Sequence, residues 1–249
     1  MKIIAIIPSR YASSRFPGKP LASIAGHPMI EWVYHNVKRV KELNQVYVAT
    51  DDQRIFDCVN GFGGSAIMTS ANHTCGTDRL AECAYILKLD DDDIVINIQG
   101  DEPLIAPEMI LDLYHSFDDS NVYMATLKKL IERDAELSNP NVVKVITDRN
   151  DDAIYFSRYC IPFERDKVQV NHYKHIGAYG YKTWFLKEYS KMKKTSLERA
   201  ESLEQLRVIE NGYKIRVTET KYQTIGVDTT EQIKDVENEI ILRGLSIDG

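Results

Sequence analysis

The stretch I-I-A-I-I-P-S-R-Y-A-S-S-R-F-P-G-K-P-L, from Ile3 to Leu21, decides the fold. An unbroken apolar run from Ile3 to Ile7 reads as a central strand covered on both faces, and it empties into a loop carrying Arg10, Arg15 and Lys19. Ligands of open α/β sheets collect beyond the carboxyl ends of such strands, so three cations in that place ask for a polyanion. Gly18 lets the backbone come close, Pro17 and Pro20 stiffen the approach, and Ser9, Ser13 and Ser14 add hydroxyl donors, a combination suited to phosphate groups. The G-x-x-x-x-G-K-[ST] order of a P-loop is absent, as is the G-x-G-x-x-G of a dinucleotide dehydrogenase. Read alone, the loop could also be a solvated basic turn.

Working outward, strand-like and helix-like segments alternate through the first half, which predicts an α/β fold with a mostly parallel central sheet flanked by helices. Strands are expected at Gln45 to Thr50, Ala66 to Thr69 and Ile94 to Ile98, with helices around Ile30 to Val40, Arg54 to Val59 and Asp78 to Leu87. From about Val142 the pattern changes. Val143 to Ile146 and Ala153 to Phe156, joined through Asp148 to Asp151, read as a small antiparallel hairpin excursion. Sheet-type sequence returns at Ile176 to Tyr181, one helix is expected from Glu198 to Ile209, a strand at Ile215 to Val217, and a last helix from about Thr230 to Arg243. We expect a single domain over residues 1–249, with the excursion at about 140–175.

Composition narrows the class. With 249 residues, 43% hydrophobic and 27% charged, the chain is long enough for one large α/β core. A net charge of −6 disfavours nucleic acid as a partner while permitting a local cationic pocket for a small anion. No apolar segment reaches membrane-spanning length and the first residues open directly on a strand, so neither membrane attachment nor a signal peptide is expected, and the cytoplasm is the expected compartment. Cys58, Cys75, Cys83 and Cys160 show no C-x-x-C and no framework spacing, which argues against zinc and a disulfide scaffold. The acidic run Asp90 to Asp93 lacks the spacing of a calcium loop and reads as a solvated turn.

Asp101 and Asp228 each follow a strand, so both can face the phosphate crevice, and their hard oxygens suit Mg²⁺. Alternatively, Asp228 or Thr229 caps the last helix and Asp101 forms a turn before Pro103. The loop Asn72 to Arg79 places Thr74, Gly76 and Thr77 where they can read a base edge, with Arg79 offering a charge to a carboxylate; a plain helix entry capped by Thr77 or Asp78 is the competing reading. By alternation His175, Tyr179 and Tyr181 share one face, a polar row for a hydroxyl-rich ligand, though a lone histidine is more often a packing residue. On the expected helix after Leu197, Glu201, Glu204, Gln205 and Val208 share a side; Glu204 and Gln205 suit sugar hydroxyls, or Glu204 pairs with Arg207 at the surface.

These segments, taken in order, resemble the 3-deoxy-manno-octulosonate (Kdo) cytidylyltransferase family, the CMP-Kdo synthetases. The matching pieces are I-P-S-R-Y-A-S-S-R-F-P-G-K-P-L, V-A-T-D-D, H-T-C-G-T-D-R-L-A-E, N-I-Q-G-D-E-P-L-I, Y-F-S-R, H-I-G-A-Y-G-Y, L-E-x-x-E-x-L-E-Q-L-R and G-V-D-T, and they span essentially the whole chain. The resemblance implies a nucleotide-diphospho-sugar transferase fold of Rossmann-like type, a homodimer, and a Mg²⁺-dependent transfer of CMP from CTP to a 3-deoxy sugar acid for lipopolysaccharide or capsule assembly. By the same resemblance Arg10, Arg15 and Lys19 would meet the triphosphate, and Pro8, Ser9, Ser14, Thr69, Ser70, Gly76 and Gln99 would line the nucleotide. Gln99, His175, Tyr179, Glu204 and Gln205 would meet the sugar acid, with Arg79 and Arg158 as partners for its carboxylate, and Asp101 and Asp228 would carry the metal. Rival readings are a cytidylyltransferase for the 8-amino analogue of Kdo or for a sialic acid, a dehydrogenase, and a non-catalytic nucleotide sensor.

Overall fold

Ile3–Ser9 form strand β1, and every residue from Ile3 to Ile7 is buried. Alternation along the strand sends Ile3, Ala5 and Ile7 into one core cluster and Ile4 and Ile6 into another, so β1 is covered on both sides. Burying each large apolar side chain contributes about 1.5–3 kcal/mol, which makes this strand a strong organiser of the sheet. The computed structural model describes residues 1–12, 16–73, 75–166, 168, 170–223 and 225–247. Ser13, expected as a hydroxyl donor, Ser14, expected to line the nucleotide, Arg15, expected at the triphosphate, and Thr74, expected near a base edge, lie outside the described residues.

Beyond β1, a two-stranded ladder joins β2 (Ser23–Ile24) to β3 (His27–Pro28). The main sheet adds β4 (Gln45–Thr50), β5 (Ala66–Met68), β6 (Ile94–Asn97), β7 (Met124–Leu130), β8 (Lys144–Thr147), β9 (Ala153–Ser157), β10 (Tyr173–Lys182) and β11 (Arg216–Glu219). Its strand order is β11-β7-β10-β6-β1-β4-β5, with β8 attached to β10 and β9 to β8. Along that order β10 runs antiparallel to β6 and β7, while the pairs β1·β4, β1·β6, β4·β5 and β11·β7 are parallel. The carboxyl ends of β1, β4, β5 and β6 therefore share one rim, as the alternating pattern predicts.

The helices are α1 (Met29–Lys38), α2 (Gln53–Gly61), α3 (Gly76–Ile86), α4 (Pro107–His115), α5 (Asp134–Ser138), α6 (Thr183–Tyr189), α7 (Ser196–Glu201), α8 (Leu206–Glu210) and α9 (Glu231–Arg243). Apolar side chains of α1, α2 and α4 bury one sheet face, and those of α3, α6 and α8 bury the other. Helix α9 packs through Val236 and Ile240 on Trp32 and Leu104 in a third cluster. Among the described residues no helix is long and apolar enough to cross a membrane.

The antiparallel hairpin forms as β8 and β9, but it is not detached: Val145 of β8 pairs with Tyr173 of β10, which ties it to the sheet. One expectation is corrected. The single helix from Glu198 to Ile209 is two helices, because Ser202 adopts left-handed backbone at φ 53° and ends α7. Glu201 and Glu204 therefore do not share one helical side; their carboxylates go to different places.

Candidate active site

After β1 the chain doubles back at Gly18, whose φ of 72° suits glycine, and Gly18 N–H donates to Tyr11 O at 2.9 Å. The Arg54 guanidinium lies 3.3 Å above the Tyr11 ring and braces that loop from α2. A 3-10 turn, Lys19–Leu21, follows with Pro20 buried. It aims Lys19 inward: Nζ donates to Asp101 Oδ2 at 2.6 Å and to Val227 O at 2.9 Å, and Asp228 Oδ1 stands 3.6 Å away. Val227 N–H donates to Asp101 O at 2.9 Å, stitching the segment before α9 to the loop after β6. The basic group from the beginning of the chain and the acidic groups from its middle and end thus meet at one point.

The backbone explains how Asp228 is held. Gln232 of α9 reaches back so that its Oε1 accepts from Asp228 N–H at 2.6 Å and Thr229 N–H at 3.0 Å, while Thr230 takes the N-cap position. The capping reading of this segment is therefore met by Gln232, with the Asp228 carboxylate set beside Lys19. Gly100 permits the close approach of the loops after β1 and β6, since an added Cβ would lie 2.6 Å from Ser9 Oγ and 3.0 Å from Pro8 O. Next to Asp101, burial and the Asp101 charge push the Glu102 carboxyl up to about 8, and its Oε2 is buried with no hydrogen-bond partner. Ser9 Oγ and Arg10 Nη2 at the same rim are also buried, with no hydrogen-bond partner among the described residues. No group of three or more His, Cys, Asp or Glu able to hold a metal occurs among the described residues, so Asp101 and Asp228 are a two-carboxylate set.

On the β5 side, α3 starts at Gly76, where an added methyl would touch the Pro8 ring at 3.8 Å, so its N-terminus abuts the end of β1. Ser70 N–H donates to Glu82 Oε2 at 2.9 Å, and the Thr69 hydroxyl donates to Thr50 O at 3.0 Å. Arg79 differs from the expectation that it meets a substrate carboxylate. It is 0% exposed, donates through Nη2 to Asp51 Oδ2 at 2.8 Å, and its Nη1 is bonded to Thr69 Oγ1. A buried guanidinium is costly without a carboxylate, and Asp51 supplies one from within the chain. Cys75, just before α3, is pushed up to about 12 by burial and by the nearby Glu204 charge, which keeps it a thiol and places Glu204 close to the α3 entry.

The third wall is β10. Its pairing with β7 jumps from Ile176↔Leu127 to Tyr179↔Thr126, so Gly177 and Ala178 form a two-residue bulge. Two extra residues preserve parity, and His175, Tyr179 and Tyr181 stay on one face with ring centroids 5.4 Å and 5.9 Å apart. Thr126 Oγ1 donates to Ala178 O at 2.8 Å and lies 2.9 Å from His175 Nε2. With the hydroxyl hydrogen spent on the bulge, Nε2–H is the donor and the ring is neutral, in line with burial pushing its pKa down to about 3. Gln99 Nε2 donates to the bulge carbonyl of Gly177 at 3.3 Å, joining the β6 loop to this wall. Burial, with the Glu204 charge adding to it, raises the Tyr179 phenol far above its ordinary value. Glu204 Oε1 and Gln205 Nε2 are buried without hydrogen-bond partners; Arg207 Nη2 is 3.9 Å from Glu204 Oε1.

Arg158 also departs from expectation. Its guanidinium donates to Glu201 O at 2.7 Å and Pro140 O at 2.9 Å, while Glu201 accepts from Ser157 Oγ at 2.7 Å and Arg158 N–H at 3.0 Å. These bonds clasp the end of β9 to the turn before Glu204, so Arg158 supports the wall. Asn97 and Glu102 were not among the expected residues. The signal for Asn97 was present, because it is the polar break in an apolar strand two residues before Gln99.

A family model described as Cytidylyltransferase matches residues 4–215. A 3-deoxy-manno-octulosonate cytidylyltransferase from Fusobacterium nucleatum subsp. nucleatum is 55% identical over 241 residues, covering 96% of this chain and 97% of its own. One of the same name from Syntrophus aciditrophicus is 49% identical over 244 residues, covering 97% and 98%. The solved structure of a CMP:2-keto-3-deoxy-manno-octonic acid synthetase complexed with CTP superposes with a TM-score of 0.92 at 42% identity, covering 98% of this chain and all of that one. Similarity at that level over nearly the full length, on the strand order described above, means that the chain belongs to the 3-deoxy-manno-octulosonate cytidylyltransferase family.

Proposed function

We propose that the protein transfers CMP from CTP to the anomeric C2 hydroxyl of 3-deoxy-D-manno-octulosonate, releasing pyrophosphate, with Mg²⁺ held by Asp101 and Asp228. The observation that carries this reading is the Lys19 ammonium poised between Asp101 and Asp228, at 2.6 Å and 3.6 Å, on the rim where the Arg10 loop leaves β1. Two carboxylates within reach of one cation fit Mg²⁺, which takes one or two protein carboxylates and completes its shell with water and substrate oxygens. Asp101 and Asp228 would hold the ion, and the chemistry it would supply there is neutralisation of phosphate charge and a lower pKa for the attacking hydroxyl.

The chain's own groups do the rest. Charge grows on the leaving pyrophosphate during in-line displacement at the α-phosphorus, and Arg10 and Lys19 stabilise it more in the transition state than in the ground state. Tyr179, Glu204, Gln205 and Gln99 hold the sugar acid so that its C2 hydroxyl faces that phosphorus, and His175, neutral and tethered to Thr126, fixes the β10 wall behind it. The cysteines Cys58, Cys75, Cys83 and Cys160 are all free, which is compatible with the cytoplasm as the proposed compartment. There the product would feed lipopolysaccharide or capsule assembly, with the enzyme acting as a homodimer. A coupled pyrophosphate assay with CTP, Mg²⁺ and a panel of acids tests the reading. We expect the largest kcat/KM with Kdo, at least tenfold above its 8-amino analogue and above sialic acid. A larger value for another acid would reassign the substrate, and CTP binding with no pyrophosphate from any acid would favour a nucleotide sensor.

A further inference from the structure

Strand β6 is apolar apart from its last residue. Val95 and Asn97 face the layer formed by α3 and α6, while Ile94 and Ile96 face the other. Asn97 is 4% exposed, and its carboxamide oxygen is buried with no hydrogen-bond partner. An amide oxygen buried there without a partner carries its full desolvation penalty, which an apolar residue of equal size would not. Register places Asn97 directly across from Tyr179 on β10 and beside Ile6 on β1. Two residues on, Gln99 continues the same row to the Gly177 carbonyl of the bulge. Glu204, whose charge acts on the Tyr179 phenol, has a buried carboxylate oxygen, Oε1, with no hydrogen-bond partner among the described residues and with Arg207 Nη2 3.9 Å away. Buried acceptors without hydrogen-bond partners near one phenol match a polyhydroxylated ligand, whose hydroxyls can donate to them.

We propose that Asn97 is a further substrate-binding residue: its carboxamide oxygen accepts a hydrogen bond from a hydroxyl of the sugar acid seated against Tyr179. This assignment rests on the function proposed above. A site built to bond a hydroxyl rejects an analogue lacking it, because the buried protein group is then left unpaired. Steady-state kinetics of Asn97→Leu, which keeps side-chain volume and removes the acceptor, should show KM for the sugar acid raised at least tenfold with KM for CTP within twofold. The thermal midpoint should equal or exceed that of the wild type, a result that loss of a structural hydrogen bond would not give. Sugar-acid KM within twofold of wild type would overturn the assignment. If Asn97→Leu does not fold, Asn97→Ser is assayed with a series of monodeoxy sugar acids. One of them should be at least tenfold poorer than the parent acid for the wild type and nearly equal to it for the variant, and equal penalties in both proteins across the series would overturn the assignment. A wild type that turned over no sugar acid at all would instead remove the proposed function and this assignment together.

Discussion

Lys19 and Arg79 are both cations from the expected site residues, and their surroundings send them to different tasks. Arg79 is sealed under α3, its charge answered by Asp51. The Lys19 pair sits at an open rim, where Asp101 and Asp228 keep 35% and 47% of their side chains exposed. Ion pairs that retain so much solvent contribute little to stability, about 0–1 kcal/mol. The arrangement is therefore cheap to keep and easily reorganised when phosphate arrives. Lys19→Met should leave the thermal midpoint within a few degrees of wild type, yet lower the rate of pyrophosphate release by about 10²–10³, the loss typical for removing one donor to developing charge. A fall of less than about threefold would mean that Lys19 does not touch the reacting phosphates.

At the scale of elements, the break at Ser202 divides α7 from α8, and one buried ion pair spans it. Arg207 grips Glu198 in two-pronged fashion, Nε to Oε2 at 2.8 Å and Nη2 to Oε1 at 2.6 Å. Desolvation works to raise the Glu198 carboxyl, but the Arg207 hydrogen bonds and charge outweigh it and hold that carboxyl below its usual range. A carboxyl depressed in the folded state adds stability above its unfolded pKa, about 4.3, and that stability is lost as pH falls through the folded value. Glu198→Gln should thus lower stability at pH 7, by up to about 3–5 kcal/mol if Arg207 is left without compensation. Thermal melts from pH 7 to pH 3 should show the gap between variant and wild type closing on the acid side; a constant gap would place the stabilisation elsewhere. The same region shows where sequence stops being informative. The E-R-A-E-S-L-E-Q-L-R pattern is periodic enough for one helix, and only the tertiary clasp of Glu201 on Ser157 and Arg158 reveals the interruption. Strand β7 went unread because Lys128 and Lys129 look like loop residues. Both are buried, and Lys128 is answered by Asp151 at 2.7 Å, a partner 23 residues away. By contrast, β1 declared itself through apolar continuity alone and Asp101 through its position after β6, whereas the strand expected before Asp228 does not form: Ile225 to Val227 are not strand, and β11 ends at Glu219.

On the scale of the whole molecule, the sheet is finished differently at its margins. Among the described residues β9 forms a ladder with β8, while at its start Ala153 N–H donates to Ile215 O at 2.8 Å, so the chain entering β11 meets the beginning of its other edge and the later part has no strand beside it; an uncovered edge invites pairing. The segment that follows carries Tyr159 and Phe163, 83% and 87% exposed, together with the exposed Val168, and Ile154 on β9 itself is 52% exposed. Exposed apolar side chains on and after β9 suit an interaction surface, and this one lies within the excursion at about 140–175, where it could meet the second copy that the resemblance implies. The clasp from Arg158 to Glu201 connects that surface to the wall bearing Glu204, so pairing of two copies would steady that wall, proposed above for the sugar acid, as well as cover the apolar side chains. Sedimentation equilibrium at micromolar concentration should return twice the chain mass of 28.5 kDa. Phe163→Lys should shift the protein towards monomer with its far-ultraviolet dichroism unchanged, and should raise KM for the sugar acid on dilution more than KM for CTP. A wild type that sediments as a monomer would remove the homodimer from the reading, and a Phe163→Lys protein that stays dimeric would move the contact to another face of the molecule.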